Sequence, residues 1–403
     1  MKNVAITTDS KSLIMIEKIE SSLKNLYNYI ESENYRGYDP YDTLNSWFPF
    51  QVFGKWPAIL AIQFQKRNPV NIRPLLGVKK FHSTKGMGLL LKAYVKLYKL
   101  TVDKKLLSSI KFIKDWLIEN RTFYNNDFCW GYDYPYSTPN FVHEKEFPTV
   151  VHHKYIMDGF YEYYLTFRDE KVKRFIIESE KFILNRIPQI SVGNGICLGY
   201  HPKSTDCCYN ASLHAAHCLA IVDNLRKNDH HSSLIKDVVN FVISKQKNSG
   251  VWYYSLNPET GEERKQVDFH QGFILESLHD IKNLIGYTSN DWEKAIKKGL
   301  EFYKKKQFFE NGQSLWRLPR FYPVDIHNQA QGIITFCKLN SYDPSLLSFA
   351  QKIAEWTIVN MQSKRGYFYY RNFKNYKNKI PYIRWGQAWM LLGLTELGSL
   401  KNH

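Results

Sequence analysis

HQGFILESLHDIKNL (270–284) begins with a polar or aromatic residue, passes through a small one, and then carries apolar residues at helical spacing. Five other stretches follow the same plan: HSTKGMGLLLKAYVKLY (82–98), HHKYIMDGFYEYYLTF (152–167), NASLHAAHCLAIVDNL (210–225), HNQAQGIITFCKL (327–339) and WGQAWMLLGLTEL (385–397). Their starts at 82, 152, 210, 270, 327 and 385 lie 70, 58, 60, 57 and 58 residues apart. Six copies of a unit this long predict a closed ring of helical hairpins, an all-α (α/α)6 toroid. A second amphipathic segment precedes each copy, at about 11–33, 103–120, 170–187, 232–247, 291–307 and 345–362, and is expected to form the outer ring.

A Gly-aromatic connector joins each outer segment to its inner one: 37–47, 129–136, 195–202, 250–269, 312–326 and 366–384. All six are expected on one rim, around a cup into which the inner helices open. Loops held on a rigid scaffold concentrate ligand groups, and helix N-termini favour anions. The chain reads as one domain over 1–403, with an insertion at about 47–81 in the first repeat. That insertion is aromatic early and basic late. Packing against the barrel end is its expected role, with a lid, an oligomer contact or a membrane-surface patch as alternatives.

Net charge is +17 and points to an anionic partner. The cations are spread along the outer segments, and no nucleic-acid-binding motif is present, so nucleic acid is not expected. An acidic glycan or a lipid-linked oligosaccharide fits the charge, as does peripheral contact with an anionic membrane. The six cysteines form no C-x-x-C pair, and MKNVAITTDS lacks a signal-peptide core, so a cytoplasmic location is expected. No apolar run reaches membrane-spanning length. Phosphate-loop, dinucleotide-binding, H-E-x-x-H and G-x-S-x-G patterns are all missing from the sequence.

Candidate catalytic residues are the carboxylates of the connectors, Asp39, Asp42, Asp133 and Asp268, with Asp325 beside His327. The histidines at inner-helix starts join them, His270 and His327 foremost. Paired carboxylates perform acid and base work at a sugar, and imidazole moves protons near neutral pH. Candidate substrate-binding residues share these positions: Tyr38, Asn45, His82, Tyr132, His152, Asn210, Gln271, Asn328 and Trp385. Arg317, Arg320 and Arg384 suit carboxylate or sulfate groups. Trp130, Trp252 and Trp316 are expected to stack on pyranose faces.

A different chemistry is also encoded. Asp206, Cys208 and His270 supply three ligands that would leave a catalytic zinc one open position. The D-x-C-Y run, with a histidine 62 residues after the cysteine, resembles the zinc site of protein prenyltransferase β subunits. That resemblance implies an isoprenoid or thiol substrate and covers only these residues.

The toroid with Gly-aromatic connectors is similar in architecture to unsaturated glucuronyl hydrolases, N-acylglucosamine epimerases and the helical domain of glucuronyl epimerases. RGYDPYDTLNS (36–46), NPVNIRPLLGVKK (68–80), CWGYDYP (129–135), YNASL (209–213) and DFHQGFILESL (268–278) resemble a family of bacterial and archaeal proteins tied to polysaccharide biosynthesis. These likenesses imply an epimerase, hydrolase or lyase of glycan assembly working without a cofactor. They assign no catalytic residue. A non-catalytic glycan-binding assembly factor is a further alternative.

Overall fold

The computed structural model describes residues 10–139, 141–193 and 195–400, with the side chains of residues 10–14 excepted. The reading of the first nine residues lies outside them. Six inner helices run α3 (Thr84–Thr101), α5 (Val150–Phe167), α8 (Tyr209–Arg226), α10 (His270–Ile285), α12 (Ile326–Lys338) and α14 (Ala388–Ser399). The outer ring is α1 (Ser10–Ser32), α4 (Leu106–Glu119), α6 (Glu170–Glu178) continued by α7 (Glu180–Arg186), α9 (Ser232–Ser244), α11 (Asn290–Gln307) and α13 (Ser345–Met361). Each inner helix packs on the next, and α14 returns to α3, which closes the (α/α)6 toroid.

The two rings differ in sequence because they differ in surroundings. Inner helices are covered on every side. In α12, Ile326 through Cys337 are all buried, and α8 is buried from Tyr209 through Asp223. Outer helices bury a single stripe, as in α9, where Ile235, Val238, Val239 and Val242 face inward. The tight crossing of α3 and α5 uses glycine. A Cβ at Gly159 would stand 2.7 Å from the Gly88 carbonyl, so only glycine lets the two helices approach this far.

Polar residues fill the barrel axis. Asp158 accepts from Lys154 at 3.0 Å and from Lys92 at 3.1 Å, Lys338 pairs with Asp280, and Thr335 donates to Glu276 at 2.7 Å. Opposite charges satisfy one another there, as burial requires.

The connectors form the rim as twelve short strands among the described residues. Neighbouring connectors are hydrogen-bonded around it. Cys207–Cys208 pairs with Ser255–Leu256, Val324–Asp325 with Arg371–Asn372, and Tyr38 bridges Tyr382. Three connectors start on a glycine of strongly positive φ, Gly250 (+93°), Gly312 (+89°) and Gly366 (+94°). At each, a Cβ would run into the backbone of an outer helix, at Lys298, Lys352 or Asn25. The third contact ties the last connector to α1.

The insertion folds as helix α2 (Lys55–Arg67), whose inner face packs on the turn at 42–45 and on Tyr136. It stands beside the cup mouth, so it is a wall of the cup as well as packing on the barrel end.

Candidate functional site

Side-chain caps start three of the inner helices at the rim: Ser83 accepts from Gly86 N, Thr149 from His152 N and Asp325 from His327 N. These caps fix the first turns, and the first turns carry the cup's polar groups.

Asp268 and His270 form the first constellation. His270 Nδ1 lies 2.5 Å from Asp268 Oδ1, while Gln266 donates to Oδ2 at 2.7 Å and Arg317 Nε stands 3.4 Å from it. Burial raises the Asp268 carboxyl, but His270 and Arg317 outweigh it and bring it down to about 2. No protein group bonds His270 Nε2 among the described residues. Phe269 stacks on both His270 and His327, with ring centroids 4.4 Å away in each case. His327 is enclosed by Phe269, Trp385 (4.7 Å) and Trp389 (4.6 Å), and neither of its ring nitrogens has a partner among the described residues. Burial, then Lys85 and Arg384, hold it well below the usual imidazole range.

His152 completes the histidine set. Its Nδ1 lies 2.7 Å from Thr149 Oγ1, its Nε2 is unpartnered among the described residues, and Tyr132 meets its ring edge-on at 4.8 Å. It too is neutral, by burial reinforced by Arg384 and Lys85. Asp133 accepts from Thr84 N at 2.9 Å and from Ser83 Oγ at 3.0 Å. Burial pushes its carboxyl up to about 6 against those hydrogen bonds. A carboxyl in that range can donate a proton near neutral pH.

The other carboxylates are engaged. Asp39 receives both arms of Arg384, at 2.6 and 2.8 Å, and Tyr134 OH at 2.9 Å. Asp42 holds buried Arg73 at 2.7 Å and accepts from Asp39 N at 2.9 Å. Asp325 takes Arg371 at 2.6 Å and Trp385 Nε1 at 2.9 Å. These pairs build the cup wall and tie three carboxylates to arginines, although burial still pushes Asp42 up to about 6 against Arg73.

Several residues expected at the sugar are elsewhere. Trp130 and Trp252 are fully buried, donating their indole N–H to Leu117 O and Val242 O. His82 lies two residues before the helix and bonds Asn34 O at 2.8 Å, its ring against Phe112 and Trp116 of α4. Gln271 grips both the N–H and the C=O of Trp252, at 3.0 and 2.6 Å. Gln329 holds Ser314 N and Gly312 O, and Gln387 holds Phe368 N and O, so this position clamps the connector instead of facing the cup. Asn328 donates to Leu315 O and Trp316 O, and Asn210 accepts from Cys208 Sγ. Asn45 reaches Asp133 O at 3.5 Å, and Tyr38 packs with Tyr370, Ile380 and Tyr382. Arg320 is exposed at the connector tip. Trp316 stays on the rim with Arg371 stacked 4.3 Å from its ring centroid.

Asp206, Cys208 and His270 do not assemble. Asp206 is exposed, Cys208 is buried against Asn210, and His270 is turned to Asp268. No group of three His, Cys, Asp or Glu side chains among the described residues is arranged to hold a metal ion.

Sequence reading missed four cup residues. Lys85 is buried, makes no ion pair among the described residues, and lies 4.4 Å from the Tyr155 ring and 5.3 Å from Trp389. Burial drives its pKa well down, with Arg384 and Lys154 adding to it. It sits two residues after the Ser83 cap, as His327 sits two after Asp325, and that register was the available signal. Arg371 carried no such signal. Tyr41 lies between Tyr136 (5.4 Å) and Trp385 (5.6 Å) at the mouth. Lys66 of α2 donates to Tyr41 OH at 2.6 Å, and burial with Arg371 lowers it to about 7.

The fold is shared with carbohydrate-active enzymes. The chain is similar to an unsaturated glucuronyl hydrolase specific for heparin (TM-score 0.64, 11% identity, 96% of this chain and 98% of that one). It is similar to a cellobiose 2-epimerase from Bacillus thermoamylovorans (0.63, 13%, 78% and 88%) and to a GH76 α-mannanase of Bacteroides thetaiotaomicron (0.60, 10%, 81% and 89%). No family model matches the sequence, and no curated protein matches it significantly. At these identities the likeness is one of architecture.

Proposed function

We propose that this chain is a carbohydrate-active enzyme of glycan assembly that moves protons at a sugar carbon, in the manner of an epimerase, within the rim cup. One observation carries the reading: an oriented imidazole, His270, and a neutral, unpartnered one, His327, share Phe269 as a common wall. With Asp268 accepting at Nδ1, His270 keeps its Nε2 lone pair free to take a proton. The imidazolium that results can return that proton, and Asp133, its carboxyl raised to about 6, is a second donor, while neutral His327 and His152 can accept a proton or bond a sugar hydroxyl. Arg384 and Trp385 border the space, and Arg317 brings positive charge that suits an acidic sugar or a lipid-linked oligosaccharide.

Hydrolysis is the second reading. The raised carboxyl of Asp133 favours it as a proton donor to a glycosidic oxygen. A screen of acidic glycans in deuterated water separates the two. Deuterium gained at a sugar carbon, and lost with His270→Gln, supports the epimerase. New reducing ends that vanish with Asp133→Asn mean a hydrolase. Saturable binding without either change means a binding protein and overturns both.

A further inference from the structure

Residues 47–80 contain six Lys or Arg and no Asp or Glu. Arg73 is buried on Asp42, Lys66 turns in to Tyr41 and Lys80 pairs with Glu33, which leaves Lys55, Arg67 and Lys79 as the outward cations. The same stretch leaves eight large apolar side chains more than half exposed, from Trp56 at 58% to Leu75 at 78%. On α2, Ala58, Ile62 and Gln65 turn to the barrel, while Trp56, Leu60 and Phe64 repeat every four residues along the opposite face. Phe53 extends this stripe before the helix. Lys55 and Arg67 stand at its two ends, and Lys79 follows, all exposed. No helix among the described residues is long and apolar enough to cross a membrane.

We infer that α2 and its flanks are a docking surface for an anionic lipid bilayer. Aromatic and leucine side chains on one helical face, edged by cations, suit the boundary between headgroups and acyl chains. Charge selects the occupant. Two copies meeting on this face would bring like charges together, whereas a plane of anionic headgroups neutralises them. The inner side of α2 walls the cup, through Ala58 and Ile62 against Leu44 and through Lys66 on Tyr41. Docking therefore sets the cup mouth beside the headgroups, where the glycan of a lipid-linked substrate begins. That last clause rests on the proposed function. The docking itself does not.

The test is co-sedimentation with vesicles of phosphatidylcholine alone or mixed equally with phosphatidylglycerol. The full chain is expected to bind the anionic vesicles and to release with salt. Trp56→Ser/Leu60→Ser/Phe64→Ser should weaken binding by about tenfold or more, with an unchanged unfolding temperature. Val359→Ser, an exposed apolar residue of α13, should bind as the wild type does. Equal binding by the triple variant, or no binding by the wild type, overturns the inference. So does a wild-type dimer that the triple variant dissolves without any change at vesicles. Turnover of a soluble glycan by the triple variant is read separately, so a failure of the cup chemistry is not mistaken for a failure of docking.

Discussion

Asp268→Asn keeps the shape of the side chain that orients His270 and removes its charge. The Asp268 carboxyl drops from 3.8 to about 2 in the folded protein. A carboxylate of lowered pKa contributes stability that is complete above 3.8 and is lost as pH falls through the folded value. That difference corresponds to about 2 kcal/mol at neutral pH. For a chain of 403 residues, that is a fall in unfolding temperature of roughly 2–3 °C. The assay is thermal unfolding of both proteins from neutral pH down into the acid limb. The variant should start lower, and the gap should close between pH 3.8 and about 2. Nitrogen-15 spectra of His270 provide a second reading. The wild type should carry its neutral proton on Nδ1, and the variant should mix tautomers. A variant whose acid limb superimposes on that of the wild type at every pH would refute the Asp268–His270 assignment.

Asp39→Asn leaves buried Arg384 without its counter-charge and should cost about 3–5 kcal/mol, measured by denaturant unfolding. Gln271→Ala, Gln329→Ala and Gln387→Ala each abandon a connector backbone pair and should cost about 1–3 kcal/mol; for Gln271→Ala, calorimetric glycan affinity of the folded fraction should be unchanged. Lys66 has its pKa lowered in the fold to about 7 from 10.5, so the unfolded chain binds the extra proton between those values. Stability should therefore rise with pH across that window, and Lys66→Met should flatten the rise in a pH series of melting curves.

The toroid was legible because each inner helix opens on a polar or aromatic residue, continues with apolar residues at helical spacing, and recurs at a nearly constant interval. The predicted outer spans meet the observed helices to within a few residues. Where each inner helix takes its first turn was harder to read, and that decided the site. His270, His327 and His152 fall in first turns and reach the cup, whereas His82 lies just ahead of the Ser83 cap and turns outward. Composition misled for Trp130 and Trp252, since a large ring in a connector serves packing as readily as a ligand. Nor does the sequence show that Asp39, Asp42 and Asp325 are taken by arginines. Two of those partners, Arg384 and Arg371, sit 345 and 46 residues away along the chain, and the first pairing exists only once the ring has closed.

The seam between α14 and α3, pinned by Gly366 against α1, removes the ends that a linear array of hairpins would have. An open solenoid needs terminal caps and can fray one repeat at a time. In a ring every hairpin has two neighbours, so releasing any one exposes two interfaces at once. Partial unfolding is penalised twice, and the rim connectors inherit that cooperativity. Half of the cup cannot persist while the other half melts, which ties any activity of the rim to the integrity of all six repeats.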